Sequence, residues 1–168
     1  MESRSAWMLW FTWQSFASEA LQRSPLVLRE RREARSEVKR YLADTHALLW
    51  YLGARANLGR RAGRVFDDLG ATTEVFVSTI SLREIALLHD QGRVRLPQGY
   101  SAWCDALAAP GGIRIEPLRR DDVEQARLLG VLKDPSDRLI AGTALRIGVP
   151  LLSKDERMTR ERRLRVVS

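Results

Sequence analysis

From about residue 38 onward, short apolar runs alternate with longer segments whose apolar residues recur at helical spacing. The run at Arg40–Ala43 predicts a strand, and THALLWYLG turns into a helix behind it. Asn57 is placed to cap a helix through Leu69, because Leu58, Ala62, Val65, Phe66 and Leu69 share one helical face. EVFVS reads as a second, buried strand. Ser81 and Glu84 form the S-x-x-E pattern of a capping box, and Gly92 and Pro97 close that helix and its exit. A helix over Tyr100–Ala108 stops at PGG, before a third strand in IRIEPL. Asp121 or Asp122 starts the helix DDVEQARLLGVL. Asp134-Pro135 starts another that runs to about Ile147 and ends at Gly148. VPLLS and LRVVS supply a fourth and a fifth strand. Strands alternating with helices predict an α/β fold with a mostly parallel sheet covered on both faces. Sites in such sheets collect beyond the carboxyl ends of the strands.

Residues 1–37 follow a different pattern. Trp7, Trp10 and Trp13 lie at three-residue spacing, on one side of a possible helix, ahead of the Arg/Glu-rich LRERREARSEVKR. Ser18 and Ala20 loosely imitate a signal-peptide cleavage site, but Thr12 and Gln14 interrupt a short apolar run and MESR carries no net charge. A membrane span needs roughly 20 largely apolar residues, which this run does not supply. We expect an N-terminal extension at 1–37, helical or disordered, and a compact domain at 38–168. The extension is an over-extended start or an appendage, and peptides recovered from it in native protein would exclude the over-extended start.

Composition narrows the class. The chain has 168 residues, enough for one domain with a proper core, and is 45% apolar and 29% charged, as in ordinary globular proteins. Its net charge of +7 and pI of about 10.4 favour a polyanionic partner. Cys104 is the single cysteine, so no disulfide forms within the chain; a small buried apolar role suits it and a reducing cytoplasm fits. His46 and His89 lack the spacing of a zinc site; His46 closely follows an acid of interest, although packing or capping also accounts for it.

Against this basic background, Asp44, Glu84, Asp137 and Asp155 each end or begin an element at one expected rim. Every one has an ordinary structural explanation. Asp44 suits a helix N-cap, Glu84 a capping box, Asp137 the first turn of a helix and Asp155 a turn. The DPSD segment divides into Asp134 as the N-cap and Asp137 as the functional acid. Together the four form an oxygen-only set suited to a hard divalent cation and to phosphodiester chemistry. An aspartyl phosphatase is a poorer reading, since His46 stands where a second Asp is typical.

The segments LADTHALLW, VSTISLREIALL, KDPSDRLIAGTAL and LLSKDERM resemble, in order, the motifs of PIN-domain ribonucleases, and more narrowly of VapC-type toxins. The resemblance runs from about Val38 to Arg157. It implies a three-layer α/β/α domain with Asp44, Glu84, Asp137 and Asp155 as catalytic, metal-binding acids, and Mg²⁺ or Mn²⁺ as cofactor. Thr45 and Ser153 would support those acids by hydrogen bonds, and Arg138, Lys154 and Arg157 are candidates to contact RNA. Ser136 stands where an aromatic is frequent, and Ser153 where Thr is usual. The same resemblance implies a cytoplasmic toxin that cleaves RNA and inhibits translation, a cognate antitoxin and a homodimer, with no membrane association. The alternative is a catalytically inactive PIN-like module that binds nucleic acid or protein.

Overall fold

The computed structural model describes residues 38–109, 111 and 113–168. The readings of residues 1–37 lie outside them. Five strands form one sheet: β1 (Lys39–Ala43), β2 (Thr73–Ser78), β3 (Ile113–Glu116), β4 (Leu151–Leu152) and β5 (Val166–Val167). Their order in space is β3-β2-β1-β4-β5, and every pairing is parallel. The chain moves outward from β1 to β3, then crosses back to lay β4 against the other edge of β1. The reversal therefore falls between β1 and β4, where the strand ends leave a crevice.

Seven α-helices connect the strands: α1 (Thr45–Gly53), α2 (Arg60–Asp67), α3 (Thr79–Asp90), α4 (Tyr100–Leu107), α5 (Arg120–Arg127), α6 (Pro135–Ile147) and α7 (Glu156–Arg160). The two-residue period of a strand sends alternate side chains to opposite faces. Tyr41, Ala43, Val75, Val77 and Leu152 accordingly join a core with Leu48 of α1, Phe66 of α2, Ile85 of α3 and Trp103 of α4. Leu42, Phe76 and Leu151 face the second core, with Leu129, Ile140 and Ala144 of the α5–α6 region and Met158 of α7. The result is three layers. Leu42 and Leu151 are fully buried, each contributing about 1.5–3 kcal/mol relative to exposure.

Local signals place most boundaries within a residue or two. Other expectations need correction. The helix expected over DDVEQARLLGVL is that at Arg120–Arg127, which starts after Arg119 and ends five residues early. Asn57 does not cap α2: it closes a 3₁₀ turn at Arg55–Asn57, and α2 starts after Gly59 without a side-chain cap. Nor does Ser81 cap α3. Strand β2 passes straight into the helix, so Ser78 is the N-cap and its hydroxyl accepts from Ile80 N at 3.2 Å. Ser81 is consequently buried in the first turn, with no hydrogen-bond partner for its Oγ among the described residues. Glu84 lies beyond that turn and is free of any capping task.

Helices α5 and α6 pack closely because Gly142 lets their backbones meet; a Cβ there would collide with the Asp122 carbonyl. Arg146 on α6 joins Asp122 of α5 and donates to Glu116 at the end of β3 at 2.7 Å. Asp122 also accepts from Arg119 N at 2.7 Å, which satisfies the start of α5. Gly148 ends α6 at φ 71°, the left-handed conformation that glycine adopts without a Cβ penalty. Cys104 is half-buried beside the first core rather than fully enclosed.

Candidate active site

The site is built where β1 and β4 separate. Asp44 directly follows β1, and its N–H donates to the Leu152 carbonyl of β4 at 3.1 Å. This bond ties the acid to both strands flanking the reversal. Asp44 is buried, and its Oδ1 caps α1 by accepting from Ala47 N at 2.6 Å. Burial pushes its pKa up and the nearby Asp155 charge adds to that. The Ala47 N–H, the Ser153 hydroxyl and the His46 ring offset part of the rise.

Glu84 is half-buried on α3 and accepts a hydrogen bond from the hydroxyl of the buried Thr45. Thr45 is the first residue of α1, so this contact couples the α1 start to α3. Asp134 is the N-cap of α6, its Oδ1 accepting from Ser136 N at 2.7 Å and Asp137 N at 3.2 Å. Asp137 therefore stands in the first turn with its carboxylate spared from capping. Its pKa is pushed up to about 6, first by burial and then by the charges of Asp134, Asp155, Glu84 and Asp44. Acids from four separate segments thus lie within electrostatic reach of one another.

Asp155 is the N-cap of α7, accepting from Arg157 N at 2.7 Å. The Arg157 guanidinium also contacts it, at 3.0 Å and 3.3 Å. Burial alone would raise Asp155, but the hydrogen bonds and charge of Arg157 hold it below the usual carboxylate range. Ser153 is buried, and its Oγ accepts from Asp155 N at 3.1 Å. One serine hydroxyl thereby influences both Asp44 and Asp155.

Among the described residues, no group of three or more His, Cys, Asp or Glu side chains stands arranged to hold a metal ion. Asp44, Glu84 and Asp155 are turned instead to protein donors: Ala47, Thr45 and Arg157. The donor set nonetheless suits a hard divalent cation: it is all carboxylate oxygen, and its negative charge adds to burial in pushing Asp137 upward.

The basic candidates have differing surroundings. Arg138 is half-buried and donates through Nε to the Leu129 carbonyl at 3.2 Å. Arg157 is engaged with Asp155, while Lys154 is exposed and donates to the Asn57 carbonyl at 2.9 Å. One feature has no local signal in the sequence: Trp50, whose ring lies 5.6 Å from the Lys154 ammonium. His46 is exposed rather than packed in the core, 5.8 Å from the Trp50 ring.

The family model described as PIN domain matches residues 41–164. Ribonuclease VapC22 of Mycobacterium tuberculosis (strain ATCC 25618 / H37Rv) is 30% identical over 129 residues, covering 76% of this chain and 95% of that protein. A crystal structure of VapBC2 from Rickettsia felis bound to a DNA fragment from their promoter superposes with a TM-score of 0.60 at 14% identity. It covers 76% of this chain and 97% of that one. A toxin–antitoxin complex from Klebsiella pneumoniae gives a TM-score of 0.53 at 17% identity, covering 76% and 96%.

Proposed function

We propose that this chain, which belongs to the PIN domain family, is a divalent-metal-dependent endoribonuclease and the toxin of a toxin–antitoxin pair. The observation that carries the reading is the gathering of carboxylates at the β1–β4 reversal, where the charges of Asp134, Asp155, Glu84 and Asp44 add to burial in raising the Asp137 pKa. An inactive binding module has no need of such a cluster. Similarity to Ribonuclease VapC22 over nearly all of that protein favours RNA as the substrate.

Asp44, Glu84 and Asp137 would hold Mg²⁺ or Mn²⁺, with Asp155 completing the set or acting through water. Such a cation supplies an acidified water and neutralises charge developing on the phosphate. The protein's own groups do the positioning. Thr45 holds the Glu84 carboxylate, the Ala47 N–H orients Asp44, and Ser153 fixes the backbone of Asp155. Arg157 is close enough to Asp155 to exchange that acid for an incoming phosphate. Translation is the process that RNA cleavage would inhibit.

A cognate antitoxin, a homodimer and a cytoplasmic location belong to the same proposal. The shared fold of a solved toxin–antitoxin complex supports the first of these. Among the described residues no helix is long and apolar enough to cross a membrane. The test is incubation with structured RNA and with DNA, with Mg²⁺ or with chelator, alongside an Asp44→Asn variant. RNA should be cut only by the unaltered protein with metal. Cleavage that survives chelation or the substitution rejects the metal-nuclease reading, and preferential cutting of DNA rejects the substrate.

A further inference from the structure

His46 and Trp50 are four residues apart on α1, so their rings lie on one helical face, with centroids 5.8 Å apart and planes tilted by 48°. That face begins two residues from Asp44. Lys154, adjacent to Asp155, places its ammonium over the Trp50 ring and is held there by the Asn57 carbonyl. The cluster therefore draws on both segments flanking the β1–β4 reversal. Its burial is unlike that of a core aromatic: Trp103 is 3% exposed, whereas Trp50 is half-buried and His46 exposed. Aromatic faces beside a cation are what a nucleobase and its phosphate recognise.

We propose that the His46–Trp50 pair is a stacking shelf for an unpaired RNA base next to the scissile phosphate, with Lys154 contacting the adjoining phosphate. The placement of the cut rests on the ribonuclease reading above. One of the three ammonium donors is used by Asn57, which leaves the others for phosphate oxygens. Base faces inside an A-form duplex are covered by their neighbours, so only a single-stranded or splayed-out nucleotide can use the shelf. The device thus selects RNA that is unpaired at the cut, with little preference for base identity, since every base has a stackable face.

The test uses the full chain in chelator, so that binding is read without cleavage. A short single-stranded RNA and a duplex of the same sequence are titrated by fluorescence anisotropy. Trp50→Ala should weaken single-strand binding by about tenfold or more, and Trp50→Phe should restore most of it, with duplex binding unchanged. In parallel, 5-bromouridine RNA is photo-crosslinked to the unaltered protein, which does not depend on any variant folding. The crosslinked peptide should carry His46 or Trp50. Equal loss of single-strand and duplex binding, undiminished single-strand binding by Trp50→Ala, or crosslinks confined to other segments would overturn the shelf. No single-strand binding by the unaltered protein overturns it too. Protein that binds through Trp50 yet leaves RNA intact with Mg²⁺ defeats the nuclease reading instead, and cleavage without Trp50 dependence defeats the shelf alone.

Discussion

Two groups of acids in this domain meet opposite fates. On the outer edge of the sheet, Glu116 and Asp122 share Arg146, and Arg119 lies 3.6 Å from Glu116. Asp122 is fully enclosed there and also satisfies a backbone N–H. At the β1–β4 reversal stand Asp44, Glu84, Asp137 and Asp155; Arg157 pairs directly with Asp155, and its charge also acts on Asp137. The first group is a closed account of donors and acceptors that ties β3, α5 and α6 together. In the second, burial raises the Asp137 pKa and the neighbouring carboxylate charges add to it. Acidity alone does not separate the two groups; the sharing of Arg146 by the first does.

The contrast can be broken at its structural end first. Removing Arg146 leaves Asp122 buried and unpaired, so Arg146→Ala should destabilise the fold by about 3–5 kcal/mol in urea unfolding. A loss under about 1 kcal/mol, the level of an exposed ion pair, would mean that the network is not the closed unit described. Asp44→Asn should act the other way. Asn is as good an N-cap as Asp, so stability should change little, while RNA cleavage falls on the order of a hundredfold or more. A variant that unfolds would make Asp44 a structural acid.

Two finer tests address how the site is held. Thr45→Val removes the hydroxyl that holds Glu84 and should cost about 10–100-fold in activity or metal affinity, measured by cleavage against Mg²⁺ concentration. Unchanged metal dependence would deny Thr45 that role. The smallest effect is on stability against pH. Asp137 binds its proton more tightly folded, at about 6, than at the ordinary value of 3.8. Between these values the unfolded chain loses its proton first. This group's contribution is therefore fully present below pH 3.8 and is lost as pH rises through about 6 in cation-free protein. Asp137→Asn should flatten that fall in denaturation series across the window, and a parallel slope in both proteins would contradict it.

Much of this was legible because the signals are local. Asp134-Pro135 and Gly148 bracket α6 by cap chemistry, and the short apolar runs of β1 and β2 announce strands, which face a core on each side. The alternation of strands and helices was enough for a parallel sheet. What stayed hidden lies in local backbone geometry and in contacts between distant segments. Nothing near Ser81 reveals that Ser78, still in β2, has already taken the cap. Asn57 looks like a cap until the preceding 3₁₀ turn uses its backbone. Arg146 is 24 residues from Asp122 and 30 from Glu116, and Trp50 meets Lys154 across the sheet reversal, so no spacing rule exposes either pair. The acids themselves were readable as strand-end and helix-start residues. Their compensation differs: Arg157 bonds Asp155 directly, whereas Asp137 feels its charge without such a bond.

The most direct measurement is the titration of the Asp137 carboxyl by carbon-detected NMR, without and with saturating Mg²⁺. The account predicts a midpoint near 6 in the cation-free protein and a fall well below the ordinary 3.8 once Mg²⁺ is bound. A midpoint that stays near 6 in both conditions would contradict a cation site at the four carboxylates.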